Sequence, residues 1–382
     1  MIRCYLFVLF LSLTFTVWAQ SKKSVFPYRV VSGKMVVEVE INGKIAPLIF
    51  DTGGTMGIID SECEKYGLQE DGTLMIKDVS GKAITYDKMK ASCMKLPGGD
   101  MVYENFQVMK IKTPSPVTVF GTVGLLGSDL LGNSIVEIDH KKKLITITTS
   151  EEPVDEDIRY MLPYVDKSRP WPVVAVKVGK RDLDIMFDSG AYYLLNLREA
   201  DYRDLYSYNE TKLLERGFGR GPMGVSGTYI PRVEKRRVLL SPLYLGNTIF
   251  ENIIIQELTT AECALFGLPM LEYGKVIIDY SRRQFYFVPY REKARVKNEL
   301  YNFHCHRVND NLVIESVWGE LTQKLRIGDK ILRINGKDIE QFDKSELAMK
   351  GIPAVTKKKK NKVTFMTRKG EVSVWLEKVI ID

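Results

Sequence analysis

The sequence is poor in the residues that most nucleophilic and metal-dependent enzymes use. Histidine occurs 3 times and cysteine 5 times in 382 residues. So few histidines give little support for a Ser-His-Asp or Cys-His catalytic system, which needs an imidazole as its base. His304 and His306 flank Cys305, but no cluster of acids or further cysteines follows to complete a metal site. We therefore expect no metal, no other cofactor and free thiols instead of a disulfide framework.

Two classes of partner also lack their usual sequence signals. The net charge of +7 is modest for this length, and no basic stretch is interleaved with aromatic residues. We therefore expect no nucleic-acid partner. The glycine-rich segment Gly217–Gly221 is not set between a strand and a helix, as a phosphate-binding loop requires.

The N-terminus has the pattern of a secretory signal peptide. Met1–Arg3 is a short basic start, Tyr5–Val17 is apolar, and Ala19 is a small residue at the expected cleavage point. The apolar run is short for a membrane span of about 20 residues, and no other stretch could cross a membrane. We expect cleavage after residue 19 and export to the periplasm or the extracellular space, in a bacterial context, with no integral membrane segment.

A strand, a tight turn and a second strand lead to an aspartate at two places in the chain. Residues 35–41 alternate apolar and charged, as a half-buried strand does, and a turn at Asn42–Gly43 starts a return strand that ends at Asp51. The same order recurs around a turn at Gly179–Lys180 and ends at Asp188. An aspartate between apolar strands is costly unless its carboxylate is hydrogen-bonded or shares a proton.

The similarity between the two regions continues downstream in the same order. Only small insertions separate the matching segments, and an ordered set of this kind predicts an internal duplication. The matched segments are Val79–Gly81 and Val225–Gly227, Glu104–Phe106 and Glu251–Ile253, Gly124–Leu131 and Ala264–Leu271, and Ile135–Asp139 and Val276–Asp279.

The length predicts two or three domains, because 382 residues exceed one ordinary core. We predict a signal peptide at residues 1–19, a first lobe at 20–155, a second lobe at 156–292 and a smaller unit at 293–382.

The sequences around the two aspartates resemble the half-sites of aspartic proteases. The triplets Asp51–Gly53 and Asp188–Gly190 are each followed downstream by a hydrophobic-hydrophobic-glycine segment, Leu125–Gly127 and Leu265–Gly267, similar to those that brace the catalytic loops of that family. One Asp-Ser-Gly is a common turn, whereas two in register with two braces form a specific pattern. Residues 28–290 thus resemble two fused retropepsin-like domains. The implied fold is mainly β: two tandem retropepsin-like β-barrel lobes forming a bilobal aspartic protease, followed by a small PDZ-like α+β domain.

The resemblance implies a role for each residue of the two triplets. Asp51 and Asp188 would be the catalytic pair that holds a water, and because two carboxylates about 3 Å apart cannot both ionise, they would share a proton. The hydroxyl residue after each aspartate would link the two loops, and the glycine would let backbone amides approach the carboxylates. The supporting residues are Thr52, Gly53, Ser189 and Gly190.

Two departures from the family pattern have consequences. Gly54 and Ala191 stand where the acid-loving pepsin-like enzymes carry a hydroxyl residue. Loss of that donor removes stabilisation of the ionised carboxylates, which predicts raised pKa values and a mildly acidic to neutral pH optimum. Tyr192 and Tyr193 are bulkier than the pattern and either line the cleft or pack in the core.

Hairpins that close over the substrate are a further expectation of the resemblance. The first copy offers a glycine-tipped segment at residues 78–82, and the second offers the longer glycine-rich stretch 217–227. Surface turns without function are the alternative. The flap candidates are Ser80, Gly81, Ser226 and Gly227.

Residues 293–382 resemble a PDZ domain through the strand-and-turn motif Leu325–Gly336. Such domains bind a peptide terminus by strand addition, with a glycine-rich loop holding the carboxylate. The corresponding stretch here, Leu300–Phe303, lacks those glycines. Docking of a substrate or partner and simple packing against the lobes both remain open for this unit.

Taken together, these patterns predict an exported aspartic endopeptidase that acts on peptide or protein substrates, with a possible peptide ligand for the PDZ-like domain. The alternative is a catalytically inactive exported protein that keeps the protease fold and binds peptides. Intact acids in both copies favour the enzyme.

Overall fold

The chain folds into a mainly β structure with two lobes and a C-terminal unit, as the sequence predicts. The structure is a computed structural model, and it describes residues 22–77, 83–149, 153–225, 227 and 230–379. The predicted signal peptide at residues 1–19 lies outside the described residues.

The first lobe is built on an eight-stranded sheet that closes on itself where residues 40–41 pair with residues 94–95. At the predicted turn between β3 and β4, Asn42 and Gly43 both have positive φ, at 47° and 81°, as a two-residue hairpin turn requires. The elements are β1 (Lys23–Pro27), β2 (Arg29–Val31), β3 (Lys34–Ile41), β4 (Lys44–Asp51), β5 (Gly57–Ile59), α1 (Asp60–Cys63), β6 (Gln69–Lys77), β7 (Ala83–Lys95), β8 (Val102–Ile111), a 3-10 helix (Pro116–Phe120), β9 (Gly124–Gly127), β10 (Ile135–Asp139) and β11 (Leu144–Thr148).

The second lobe repeats the central strand order of the first. The neighbours β13, β14, β22 and β15 take the places of β3, β4, β9 and β5. The elements are a 3-10 helix (Ile158–Tyr160), β12 (Met161–Pro163), β13 (Val173–Val178), β14 (Arg181–Asp188), β15 (Leu195–Arg198), α2 (Glu199–Ser207), β16 (Thr211–Gly219), β17 (Val233–Leu240), β18 (Leu243–Leu245), β19 (Thr248–Glu251), β20 (Ile254–Ile255), β21 (Leu258–Thr259), β22 (Ala264–Gly267), a 3-10 helix (Leu268–Glu272), β23 (Gly274–Asp279), β24 (Gln284–Pro289) and β25 (Lys293–Arg295).

The C-terminal unit combines short strands with two helices around a core of its own. The side chain of Asp343 caps the first helix by accepting from the amides of Ser345 and Glu346. The elements are β26 (Leu300–Tyr301), β27 (Phe303–Val308), β28 (Asn311–Trp318), a 3-10 helix (Gly319–Gln323), β29 (Lys330–Ile334), β30 (Lys337–Asp338), a 3-10 helix (Ile339–Gln341), α3 (Lys344–Lys350), α4 (Ile352–Thr356), β31 (Asn361–Thr367), β32 (Gly370–Leu376) and β33 (Lys378–Val379).

A six-stranded sheet joins the two lobes in the order β1-β11-β10-β23-β24-β12. Its two central strands are the matching closing strands of the two copies, and they pair antiparallel, with Val136 opposite Ile278. One hydrophobic core runs through both lobes and includes Phe50 and Phe187, the residues that precede the two aspartates. The lobes are thus halves of one packed body.

The C-terminal unit is joined to the second lobe by strand pairing. Residues 217–219 of β16 pair antiparallel with residues 316–318 of β28, so both belong to one nine-stranded sheet. The stretch Leu300–Phe303 is bonded internally: Leu300 and Tyr301 pair with β33, and the Asn302 carbonyl accepts from the Trp318 amide at 2.9 Å. The predicted domain boundaries stay predictions.

Within the described ranges, no helix has both the length and the apolar character needed to cross a membrane.

Candidate active site

The two aspartates lie at matching ends of matching strands. β4 pairs in parallel with β9 so that Asp51 stands opposite Gly127, and β14 pairs with β22 so that Asp188 stands opposite Gly267. The brace glycines are required by space, since a Cβ on Gly127 would lie 2.5 Å from the Gly54 carbonyl oxygen. The duplicated strand register therefore delivers both carboxyl groups to the lobe interface.

Each carboxyl group lies against the glycine of the opposite loop. A Cβ on Gly53 would come within 2.5 Å of Asp188 Cγ, and a Cβ on Gly190 within 2.5 Å of Asp51 Cγ. The amide of Gly53 donates to Asp51 Oδ1 at 3.1 Å, and the amide of Gly190 donates to Asp188 Oδ1 at 2.8 Å. The carboxyl group of Asp51 is close enough to that of Asp188 to raise its pKa. The structure thus brings the predicted pair together, with backbone donors on both.

Thr52 and Ser189 cross-link the two loops through a symmetric set of four hydrogen bonds. Ser189 Oγ accepts from the Thr52 amide at 3.0 Å and donates to the Phe50 carbonyl at 2.8 Å. Thr52 Oγ1 accepts from the Ser189 amide at 2.9 Å and donates to the Phe187 carbonyl at 2.9 Å. Both hydroxyl residues are buried. Because an unmet buried donor or acceptor costs about 1–3 kcal/mol, this exchange strongly fixes how the loops face each other.

The surroundings of Asp188 favour its protonated form. Burial raises the pKa of the Asp188 carboxyl well above its usual range, and the neighbouring Asp51 charge raises it further. Lys34 and the Gly190 amide act in the opposite direction. A carboxyl that keeps its proton beside a second carboxyl is the arrangement from which a general acid and a general base can be drawn.

No family model matches the chain, and no curated protein matches it. Among solved structures, the chain is similar to an aspartic proteinase from Irpex lacteus. The two share 12% sequence identity with a TM-score of 0.41, over 70% of this chain and 97% of that chain.

At Gly54, where the family pattern has a hydroxyl residue, the structure leaves little space for a side chain. The amides of Gly54 and Ala191 close equivalent turns by donating to the carbonyls of Asp51 and Asp188, at 3.2 and 3.0 Å. A Cβ on Gly54 would lie 2.8 Å from Asp51 Cγ, so this site has no room for a hydroxyl residue unless the carboxyl shifts. The mildly acidic to neutral pH optimum stays a prediction.

Ser128 and Asp129, which no sequence motif singled out, support the loop that contains Asp51 and Thr52. Ser128 Oγ donates to the Thr52 carbonyl and lies 2.9 Å from the hydroxyl of Tyr280, which belongs to the second lobe. The next residue, Asp129, accepts from the Met56 amide at 2.8 Å. Their one sequence signal is position, because Ser128 and Asp129 directly follow the brace glycine Gly127.

The two tyrosines behind the second loop have different surroundings. Tyr192 is 60% exposed, and its ring lies against Gly33 of the first lobe. Tyr193 is half-buried, and desolvation raises the pKa of its hydroxyl, with Glu257 adding to the shift. The rings meet edge to face with centroids 5.2 Å apart. Tyr192 therefore belongs to the lobe interface.

The flap candidates can be placed only in part. Ser80, Gly81 and Ser226 lie outside the described residues. Gly227 has a φ of +74° and lies beside Pro114 and Pro116 of the first lobe. The stretch before it is tied to the same loop, since Ser115 Oγ donates to the Val225 carbonyl at 2.7 Å. The start of the predicted second flap, Gly217–Gly219, lies in the paired strand β16.

The histidine–cysteine segment has no metal-site geometry. Among the described residues, no group of three or more His, Cys, Asp or Glu side chains could hold a metal ion. Burial lowers the pKa of His304 to about 4, and it also lowers the pKa of His306. Both rings lie on β27, near Glu315 of the adjacent strand β28.

Proposed function

We propose that this protein is an aspartic endopeptidase that hydrolyses peptide bonds with a water activated between Asp51 and Asp188. The observation that carries the proposal is the meeting of two Asp-hydroxyl-Gly loops from two lobes, with each carboxyl against the other loop's glycine. A structural pair of buried turn aspartates would have no need to face each other across a duplicated interface.

The chemistry requires one ionised and one protonated carboxyl. The ionised carboxylate takes a proton from the water while the water oxygen forms a bond to the peptide carbonyl carbon, and the protonated partner gives its proton to the carbonyl oxygen. The carbon–nitrogen bond of the resulting diol then breaks. The amine nitrogen takes a proton from one carboxyl, a diol hydroxyl returns one to the other, and the pair is regenerated.

The supporting residues hold this pair in place. The amides of Gly53 and Gly190 stabilise the ionised form, and the hydroxyls of Thr52 and Ser189 keep the two loops in one relative position. The C-terminal unit serves as a brace on the β16–β17 hairpin of the second lobe, a role supported by its strand pairing with β16. Docking of a peptide on this unit, and export by the N-terminal signal, stay predictions.

Peptide-library cleavage between pH 3 and pH 8 tests the proposal. The wild type should cleave internal peptide bonds and be inhibited by pepstatin, whereas Asp51→Asn and Asp188→Asn should each lose about a thousandfold or more in kcat/KM. Asp182→Asn is the matched control, because Asp182 lies on the same strand as Asp188 but its side chain is 79% exposed. This control should cleave at the wild-type rate.

The rival function predicts a different result. An inactive peptide-binding protein would bind library peptides with unchanged affinity in the two aspartate variants and would show no turnover at any pH. Folded wild-type protein without turnover across this pH range would overturn the proposed activity.

A further inference from the structure

The turn between β2 and β3 extends from the first lobe to the catalytic loop of the second. Ser32 and Gly33 have φ values of 47° and 77°, and Val31 pairs with Lys34 on either side of them, so this is a tight two-residue turn. The backbone of Gly33 packs on the Tyr192 ring so closely that a Cβ would lie 2.7 Å from two ring carbons. The turn therefore presents Lys34 at a defined place beside the second triplet.

Lys34 makes a polar contact across the lobe interface. Its Nζ donates to the carbonyl oxygen of Gly190, the glycine of the second triplet, 156 residues away in the chain. Gly190 in turn donates its amide to Asp188 Oδ1 at 2.8 Å. Gly190 thus links the ammonium group of Lys34 in the first lobe to the carboxyl group of Asp188 in the second. A hydrogen bond with a charged donor is stronger than one between neutral groups.

The positive charge of Lys34 also acts on the acid pair. It lowers the pKa of Asp188, against burial and the Asp51 charge, which both raise it. Other charged and titratable groups of both signs surround the pair. Asp129 and Tyr280 both interact with the Asp51 charge, and Arg283 also acts on Tyr280. Further out, Glu315 acts on Tyr192 and is itself paired with Arg220.

The arrangement is not duplicated in the second copy. The residue that matches Lys34 by the spacing of the two aspartates is Trp171. Trp171 carries no charge, and its ring lies 5.4 Å from the guanidinium of Arg169 in its own lobe. The internal duplication therefore does not account for a lysine at this position, and Lys34 is a feature of the first lobe.

We propose that Lys34 is a positioning residue for the second catalytic loop, which fastens Gly190 across the lobe interface and holds a positive charge beside Asp188. This inference rests on the proposed function for its effect on catalysis. The placement of the charge beside the acid pair can be measured without catalysis.

The experiment compares four variants with the wild type. Lys34→Met removes both the donor and the charge, Lys34→Gln keeps a donor without the charge, and Lys34→Arg keeps both. Lys44→Met is the matched control. Lys44 begins β4, just after the turn at the other end of β3, and its Nζ donates to the Lys65 carbonyl at 2.5 Å. Thermal unfolding verifies that each variant is folded.

The first readout is the pH profile of kcat/KM. Without the ammonium group the acid pair should hold its protons to higher pH, so both limbs of the profile should move to higher pH in Lys34→Met and Lys34→Gln. At the acid-side pH of half-maximal wild-type activity, these variants should lose about threefold or more in kcat/KM. Lys34→Arg and Lys44→Met should follow the wild-type profile.

The second readout is the titration of the aspartate carboxyl carbons by NMR in ¹³C-labelled protein. The carboxyl signal that is lost in Asp188→Asn should titrate at higher pH in Lys34→Gln than in the wild type. Absence of turnover in every variant together with this shift would reject the proposed function and keep the placement of Lys34. Turnover with wild-type profiles and titrations in both Lys34→Met and Lys34→Gln would overturn the inference about Lys34.

Discussion

At the scale of single residues, the site consists of a buried acid, Asp188, and a half-buried acid, Asp51, held by glycines and hydroxyls. Asp188 is only 8% exposed, and its carboxyl is in contact with a second carboxyl and a backbone amide. Burying a carboxylate in this way costs stability unless the group keeps its proton. The function that we propose therefore rests on a residue that opposes folding when it is ionised.

Asp188→Asn is expected to stabilise the protein increasingly as the pH rises. The usual aspartate pKa is 3.8, and the folded value lies well above it. Below 3.8 both states of the wild type are protonated, and the ionisation contributes nothing. Above 3.8 the unfolded state loses the proton first, so wild-type stability falls with pH until the folded pKa is reached. Asparagine does not titrate and can still accept from the Gly190 amide.

Urea unfolding of the wild type and Asp188→Asn between pH 3 and pH 8 measures this effect. The difference in the free energy of unfolding should be smallest at pH 3 and should grow toward neutral pH. Asp182→Asn, at the exposed position on the same strand, should show no such growth. A difference that is independent of pH would contradict the raised pKa of Asp188.

At the scale of elements, the C-terminal unit is held to the second lobe by a continuous sheet with a charged interior. Arg237 of β17 is fully buried, pairs with Glu215 at 2.6 Å and lies 4.2 Å from the Trp318 ring centroid. Arg237 also donates to the Tyr301 carbonyl. These contacts link the β16–β17 hairpin to β26 and β28, so we expect the unit and the hairpin to move together.

Gly217→Ala is expected to break this connection. A Cβ at residue 217 would lie 2.4 Å from the Val317 carbonyl oxygen and 2.7 Å from the Trp318 ring, so the two strands must separate. We expect a loss of about 1–3 kcal/mol in the free energy of unfolding and faster amide hydrogen exchange at residues 217–219 and 316–318. Gly132→Ala is the control, because a Cβ there meets nothing within 4 Å.

The outcome of this comparison distinguishes a brace from an independent domain. Unchanged exchange at both strands in Gly217→Ala would mean that the pairing of β16 with β28 is not what holds the C-terminal unit.

At the scale of the whole molecule, the two lobes share a sheet and a hydrophobic core as well as the site. The strands β10 and β23 are paired at the centre of the interlobe sheet, and one hydrophobic core includes residues of both lobes. A lobe on its own would expose the unpaired edge of β10 and part of that core. Such an edge is a template for pairing with another chain.

A chain divided between residues 149 and 153 tests this dependence. The first fragment alone should aggregate or form dimers through β10, whereas co-expression of both fragments should yield a soluble 1:1 complex. Size-exclusion chromatography with light scattering separates these results. A folded, monomeric first fragment would show that the shared sheet is dispensable for the fold of that lobe.

The sequence by itself determined the turns and strands, which depend on neighbouring residues, and the bilobal fold, which depends on the internal duplication. The hairpin at Asn42–Gly43 and the strands that end at Asp51 and Asp188 are local patterns, since turn geometry and side-chain alternation are set within a few residues. The mainly β, bilobal fold followed from two copies of that pattern.

Only the tertiary structure decided which distant groups meet. Ser128 contacts Tyr280, Lys34 contacts Gly190, and β16 pairs with β28, and no periodicity in the chain encodes these contacts. Each arises because packing of the two lobes and the C-terminal unit brings together surfaces more than 90 residues apart in the chain. Local residue patterns predicted the two halves of the acid pair, whereas the docking of the lobes placed a lysine of one half beside the aspartate of the other.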